Sequence, residues 1–538
     1  MALTITPVTY YQLGKCDALA DLEGTWTGNS AGTESDFYKE GAGCLGFTIR
    51  TIGQNDILYT KTTGTWDLSG VKHLRLWFLC STPNAINVDD PADPANAGIQ
   101  FFVGDATNTA YYKVGGKTSY PGGWHNLVVD LSRAADSGTK PTGMLCTKIG
   151  LRMNMTSAPK NVDNTWIDNL IYCDGLKCTS DSQFSIQDVF DKDDATTGAW
   201  GIVRKITGIY YLTGSLVFGD NAGTLSSDFK DVTQVVVFED RKVNAALYDI
   251  NIVGNATGTT KFQLGDLSGG AGISGCNIRT QSFAQTPKFK ITCTDAGLAD
   301  ARYQTKLYGC VIGDSGVITL PLATANREVL NCNFEKCGEI LASTCKFEVC
   351  NIISADNRGV RIASASTGVK DCKFISCPHS VHCPVSIAVP FTNLQFIGTN
   401  GTDKWDVEHS VSGTLTINWT GYEPLYIDET GAGSTLKYNY VDLTITVKDE
   451  AQANINGATV RVSKFDDNSV VYMNEATGPP NPDGKAYESI NNPGIIILRV
   501  RVRKSSSGTR YIPVETSGQM TSTGFALTVI LYVDGNIL

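Results

Sequence analysis

The sequence predicts an all-β chain built of three modules: a β-sandwich, a coil of stacked parallel strands, and a second, smaller β-sandwich. Composition is the first reason. Of 538 residues 54 are glycine and only 18% are charged, which suits short strands joined by tight turns, because β-branched side chains favour pleated surfaces and Gly or Asn relieves turn strain. The second is the alternation of apolar residues over short segments between turn clusters. The third is a cysteine-marked repeat near twenty residues through the middle of the chain. A chain of this length exceeds one ordinary domain. A single short helix is expected within 184–194, on Ile186, Val189 and Phe190.

Residues 1–180 read as a jelly-roll sandwich. Leu74-Leu76-Phe78, Ile99-Phe101-Val103, Leu127-Val129-Leu131 and Ile149-Leu151-Met153 each place apolar residues on one face. Loops rich in Gly, Asn, Pro and Asp, such as 81–97 and 117–123, separate them, and 166–172 reads as a return strand pairing near the start. Four stretches resemble the carbohydrate-binding, galactose-binding-like jelly rolls: Lys39-Glu-Gly-Ala-Gly43, Trp66-Asp-Leu-Ser69, Gly123-Trp-His-Asn-Leu-Val-Val-Asp-Leu-Ser132 and Trp166-Ile-Asp-Asn-Leu170. That resemblance implies a structural calcium between the first strands and the last. Glu40 and Asp168 would be ligands, with backbone carbonyls completing an oxygen cage.

Residues 181–420 carry the repeat. Tyr308-Gly-Cys310-Val-Ile312, Leu330-Asn-Cys332-Asn-Phe334, Glu348-Val-Cys350-Asn-Ile352 and Lys370-Asp-Cys372-Lys-Phe374 align, and Asn393-Leu394-Gln-Phe396 follows in phase. The markers 310, 332, 350, 372 and 394 are spaced by 22, 18, 22 and 22 residues, with an earlier copy at Ser274-Gly-Cys276-Asn-Ile278. One coil cannot bury its own apolar face, so stacked neighbours complete the core. The Cys and Phe/Ile positions then form ladders inside a right-handed parallel β-helix of pectate-lyase-like type. A leucine-rich repeat is the alternative, but its Leu-x-x-Leu-x-Leu frame is missing. Residues 181–230 are expected to cap the first coil, where open strand edges would otherwise face water.

Residues 421–437, rich in Gly, Thr and acids, read as a linker, and 438–538 as a sandwich. Val441-Leu443-Ile445-Val447, Ile496-Leu498-Val500-Val502 and Phe525-Leu527-Val529-Leu531-Val533 alternate there. With Val447-Lys-Asp-Glu-Ala451, Asn456-Gly-Ala458-Thr-Val460 and the turn residues Pro482, Asp483 and Lys485, this module resembles Ig- and transthyretin-like domains.

Net charge is −10, from 44 basic and 54 acidic residues without long runs, so the basic stripe of a nucleic-acid binder is missing. No apolar stretch approaches the roughly 20 residues that span a bilayer. Met1-Ala-Leu-Thr-Ile-Thr6 lacks the features of a secretory signal, which points to synthesis and folding in a cytosol. Sixteen cysteines, ten of them between Cys276 and Cys383, then read as small apolar core residues rather than disulfides.

Candidate chemistry is sparse. Trp26, Trp66, Tyr111, Tyr112, Tyr120 and Trp124 stand in or beside jelly-roll loops, where aromatic faces stack on sugar rings. Tyr111, Tyr112, Tyr120 and Trp124 are the glycan-binding candidates, against the reading that most of these rings are core. Cys377-Pro-His379-Ser-Val-His382-Cys383 has the ligand types of a zinc site. In the solenoid frame, however, Cys377 follows Cys372 as Cys337 follows Cys332, and the core reading prevails. Asp356 beside Arg358 and Arg361, and Asp403, Asp406 and Glu408, are the carboxylate clusters a glycan-cleaving enzyme would need. Each is also what an exposed turn or a capping coil contains. Gly115-Gly-Lys-Thr118 and Gly28-Asn-Ser30-Ala-Gly32 fail as a phosphate loop and a nucleophile elbow, because Tyr111 replaces a required glycine and the flanks are not strand and helix. Arg499, Arg501 and Arg503 share one face of a strand, as a solvated edge or a contact for an acidic neighbour.

The order of modules resembles tailed-phage virion proteins: tailspikes, tail fibres and head or collar spikes. Gly214-Ser-Leu-Val-Phe-Gly-Asp220, the Cys-x-Phe coils, Val500-Arg-Val-Arg-Lys504 and Tyr511-Ile-Pro-Val514 carry the likeness, although the trimerising coiled coil of the best-known tailspikes is missing. The resemblance implies a non-enzymatic structural or adhesive virion component assembled in a host cytoplasm. It would be a homo-oligomer, with other virion proteins and a host cell-surface glycan as partners, and without nucleic acid or membrane insertion. The alternative is a polysaccharide lyase or glycoside hydrolase acting through the outer groove of the β-helix.

Overall fold

The computed structural model describes residues 2–534 apart from 29–30, 49–55, 82–85, 87–97, 116–122, 155–163, 196–199, 221–224, 233–234, 239–247, 254–258, 268–274, 281–287, 295–302, 321–326, 342–345, 365–367, 423, 430, 432–433, 439, 477–483, 492–495, 505–508 and 522–523. Strands dominate, in the all-β pattern of sandwiches and stacked parallel coils that the alternation and the repeat require. The α-helix Ile186–Asp193 lies where expected, started by a capping box in which Ser185 and Asp188 satisfy each other's backbone N–H. The chain forms two compact units, Met1–Cys345 with Cys350–Asn357, and Lys346–Val349 with Arg358–Leu538.

The first unit opens with a two-sheet sandwich. One sheet holds Thr4–Gly14, Cys44–Thr48, His73–Cys80, His125–Asp130 and Asn164–Thr179; the other runs through Thr25–Gly28, Asp56–Thr62, Lys148–Met153, Ile99–Gly104 and Thr109–Gly115. Alternation sets the faces. Leu74, Leu76, Phe78, Leu127 and Val129 of one sheet meet Phe101, Val103, Ile149, Leu151 and Met153 of the other in a single core. The return strand pairs with the first strand and with His73–Cys80, as its pattern required. It then continues, and Gly175–Cys178 pairs in parallel with Ser215–Phe218. One strand therefore closes the sandwich and opens the coil.

Each coil gives one short strand to each of three parallel ladders. In this unit Ser215–Phe218, Asp249–Val253 and Lys290–Thr294 form part of one, Ser227–Asp231, Thr260–Leu264 and Tyr303–Tyr308 part of the second. The third stacks Ile312, Phe334 and Ile352 in register. A backbone feature explains the repeat. Asn331 and Lys336 sit at φ +53° and +52°, and Val349 and Ser354 at φ +55° and +49°, bracketing the strands Asn333–Glu335 and Asn351–Ile353. The residues that follow these corners, Cys332, Cys337, Cys350 and Ala355, are buried. Fifteen described cysteines are free thiols and fourteen of them are buried, so they fill the interior instead of cross-linking it.

The second unit carries the same coil, with Arg358–Arg361, His379–Cys383 and Trp405–His409 in one ladder and Phe374 stacked on Phe396 at 5.5 Å in another. The segment 421–437 is not a linker. Ile427–Glu429 pairs in parallel with Trp405–His409, and Ser434–Tyr438 with Gly413–Thr420, adding a further coil. Its strands are three and five residues long, which leaves little length for an alternating pattern to show. Beyond it, Tyr440–Asp449, Lys485–Asn491 and Phe525–Leu531 form one sheet, and Ala458–Lys464, Val470–Ala476, Ile496–Arg503 and Val514–Met520 another. Leu443, Ile445 and Val447 pack against Val460, Val462, Leu498, Val500 and Val502 between them. The turn residues Pro482 and Asp483, and Ser274 of the early repeat copy, lie outside the described residues.

Candidate functional site

A concavity of about 450 Å3 opens on the jelly roll, with Tyr11, Glu23, Trp66, Asp67 and Tyr172 in its wall. Register makes it. The first strand pairs Val8 with Gly175 and Tyr10 with Cys173, leaving Thr9 between them at φ +46°. A threonine there costs about 1–2 kcal/mol, a strain that only strong surroundings sustain. Tyr11 then falls opposite Tyr172, half exposed, its hydroxyl donating to Glu23 Oε1 at 3.4 Å. The Trp66 ring is fixed from below by Gly64, where an added Cβ would come within 2.5 Å of the indole. Trp66 is buried, and its Nε1–H has no hydrogen-bond acceptor. Such an orphan donor costs about 1–3 kcal/mol, and the surrounding core packing must offset it.

The polar groups around it have settled charges. The Asp67 carboxylate accepts from the Ser69 N–H at 2.9 Å, which holds its pKa below the usual carboxylate value. Tyr172 donates to Asp174 Oδ2 at 2.8 Å; burial first, and then this bond, push its hydroxyl well above the ordinary value. An exposed aromatic face and two carboxylate acceptors match a neutral sugar: a C–H face to stack and hydroxyls to donate.

The residues expected from sequence are placed differently. Tyr112 is fully buried and belongs to the sandwich core, so its ring is not available to a ligand. Tyr111 is half-buried on the opposite face of that strand, with the Arg152 guanidinium 3.5 Å from its ring centroid. Trp124 is half-buried, and Tyr120 lies outside the described residues. Tyr11 and Glu23 carried no motif; the adjacent tyrosines Tyr10 and Tyr11 in a β-rich N-terminus were the available signal.

The solenoid carboxylates are engaged. Asp356 is exposed and paired with Lys288 at 2.6 Å. Asp403 sits in an exposed turn whose N–H donates to Asn400 Oδ1 at 3.0 Å. Asp406 is buried, its Oδ2 accepting from the Leu425 and Tyr426 N–H groups at 2.6 and 3.0 Å. Stacking gathers residues the sequence kept apart. Glu408 takes both guanidinium nitrogens of Arg358 at 2.6 Å, and His379 Nδ1 lies 3.3 Å from Glu408 and 3.8 Å from Asp428. His382 Nε2 meets Ser410 Oγ at 2.8 Å. Burial pushes the Glu408 carboxyl up, but the Arg358 hydrogen bond and the charges of His379 and His382 outweigh it and leave the pKa lowered. This is an ionised, clamped carboxylate rather than a proton donor.

No family model and no curated protein matches the chain. Among solved structures, a variant GH87 alpha-1,3-glucanase catalytic domain in complex with tetrasaccharides is similar over 78% of this chain and 75% of that one, at 9% identity and a TM-score of 0.17. The same catalytic domain in complex with nigerose is similar over 81% of this chain and 98% of that one, at 7% identity and a TM-score of 0.14. At such TM-scores the likeness carries no argument about activity.

Glu40 and Asp168 do meet, through the backbone: the Lys39 and Glu40 N–H groups donate to Asp168 Oδ2 at 2.7 and 2.8 Å. Asp168 Oδ1 is buried and has no hydrogen-bond partner. Burial, only partly offset by those N–H groups, raises the carboxyl to about 7. A calcium cage takes roughly six to eight oxygens, and Asp168 Oδ1 is the one unpaired carboxylate oxygen the described residues offer it here. Among the described residues no group of three or more His, Cys, Asp or Glu could hold a metal, the 377–383 cluster included.

Proposed function

We propose that this chain is a non-enzymatic structural and adhesive component of a phage virion, which binds a neutral host surface glycan through the Tyr11–Trp66 pocket of its jelly roll. The observation that carries the glycan reading is the half-exposed Tyr11 ring in a concavity that also holds two carboxylates, Glu23 and Asp67. The particle assignment is supported by the order of modules along the chain: a sandwich, a coil of stacked parallel strands and a second sandwich. Other virion proteins and further copies of the chain are its partners, in a particle assembled in host cytoplasm. A structural calcium belongs to the same reading, with Asp168 Oδ1 as its side-chain ligand and Glu40 beside it. Immunogold electron microscopy with antibody to the purified chain tests the assignment on particles from a lysate of the phage that encodes it. Labelled particles are expected, and unlabelled particles beside free antigen would refute it.

Cleavage of a glycan on the outer face of the coil is the alternative, and one observation favours it: the His379 imidazole lies between two carboxylates, the buried Glu408 and the partly exposed Asp428. Against it stands the Arg358 clamp, since a general acid needs a raised pKa and Glu408 has a lowered one.

A further inference from the structure

The C-terminal sandwich carries a second concavity, of about 460 Å3, with a different chemistry. Its floor is the outer face of the four-stranded sheet. The register places Met473, Arg461, Arg501 and Glu515 in one row across the four strands, and Glu475, Thr459 and Arg503 in the next. Val460, Val462, Val500 and Val502 alternate with them and fill the core, so the arginines must face out.

The charges do not balance. Arg461 and Arg501 are directly opposed across strands, an arrangement that repels. Among the described lining residues Glu515 is the one carboxylate, and it pairs with Arg501 and, at 3.4 Å, with Arg499. Arg499 is further engaged with Asn468 at 2.8 Å and with the Phe465 ring. Among the described residues Arg461 and Arg503 have no ion pair, and both are exposed. This surplus of cations sits in a hollow on a chain whose net charge is −10.

We infer that this groove binds the carboxylate or phosphate groups of an anionic glycan. Arginine forks match such groups in bidentate geometry. Arg461 and Arg503 are diagonal neighbours on adjacent strands, a spacing of about 7–8 Å, so these two can engage successive anionic groups of one polymer. Met473 and Pro513 in the wall give a sugar ring an apolar side. The volume suits one or two sugar units and falls in the small-ligand range of roughly 300–1,000 Å3, whereas a protein partner needs a broad face of about 800 Å2. The site is independent of the jelly-roll pocket, which is built for neutral hydroxyls.

Isothermal titration of the full chain with a polyuronate oligosaccharide, inorganic phosphate and a neutral glucan tests this. Polyuronate should bind, more weakly as salt rises. Arg461→Gln and Arg503→Gln should each weaken it roughly tenfold or more, the loss of one charge-assisted contact. Arg461→Lys should retain part of the affinity, and Arg499→Gln, already committed elsewhere, should change it little. No polyuronate binding, or equal binding by the Arg461→Gln and Arg503→Gln variants, would overturn the site. Phosphate binding without polyuronate binding would overturn the polymer assignment. Loss of neutral-glycan binding at the jelly roll would leave these results untouched.

Discussion

Val349 offers a direct test of why the coil repeats. It stands at a corner that the equivalent residues Asn331 and Asp371 fill with side chains tolerant of the left-handed region, yet it is β-branched and sits at φ +55°. Its side chain is 54% exposed, so little apolar burial would be lost on replacing it. Its N–H donates to Lys370 O at 3.1 Å, a bond that any residue but proline keeps. The left-handed conformation costs an ordinary L-residue about 1–2 kcal/mol, and Asn removes much of that. Val349→Asn should therefore stabilise by about 1 kcal/mol. Val349→Gly should gain less, because glycine adds about 0.4–1 kcal/mol of unfolded-state entropy. The reciprocal change, Asn331→Val at φ +53° and an exposed position, should cost about 1 kcal/mol. Equilibrium unfolding in urea, followed by far-UV circular dichroism and by tryptophan fluorescence so that separate transitions are resolved, measures all three. A destabilised Val349→Asn variant, or a neutral Asn331→Val variant, would refute the reasoning that left-handed corners set the coil.

Three further outcomes follow from the sites. Glu23→Ala removes the acceptor of the Tyr11 hydroxyl and one of the two pocket carboxylates; neutral-glycan affinity should fall roughly tenfold with the melting temperature little changed, and an unchanged affinity would remove Glu23 from the site. Glu408→Gln strands the Arg358 guanidinium, which is about a third exposed, and should cost about 2–3 kcal/mol in chemical denaturation, less than a fully buried pair. Because the Glu408 pKa is lowered on folding, its contribution is present above the unfolded carboxylate value and is lost as pH falls through the folded one. Asp168 has the opposite sign: its pKa rises to about 7, so its contribution is full below the unfolded value and is lost as pH climbs from about 4 to about 7. Asp168→Asn should reduce the fall in stability across that window by up to about 1.4 kcal/mol per pH unit. It should also abolish a rise in melting temperature that millimolar calcium gives the native chain; no calcium response in the native chain would refute the cation.

The coil was legible because its interior is written in one letter: Cys310, Cys332, Cys350 and Cys372 recur where each corner turns inward. The segment 421–437 was not, because its strands Ile427–Glu429 and Ser434–Tyr438 are too short for alternation to show. At the jelly roll the misplacement of Tyr112 was avoidable in principle. It shares parity with Ala110 and Val114, both core residues, so alternation itself puts it inside. Tyr11 and Glu23 were harder: Tyr11 falls opposite Tyr172 only through the antiparallel register of the first strand with the return strand, which holds across Thr9 and shifts between Gln12 and Gly14. Arg358, His379 and Glu408 stood in three separate sequence clusters, and only coil stacking makes them one group. The arginine row of the last sandwich was visible as a strand face; its hollow depends on the neighbouring strands.

The central claim is adhesion without cleavage. The most direct measurement presents the purified chain to a panel of neutral and anionic bacterial polysaccharides, and records both retention on the glycan and release of reducing ends or unsaturated sugars. The account predicts retention with no new ends, and loss of retention on neutral glycans when Tyr11 is replaced by Ala. Release of sugar ends that stops in Glu408→Gln or Asp428→Asn would contradict it and make the outer face of the coil an active site.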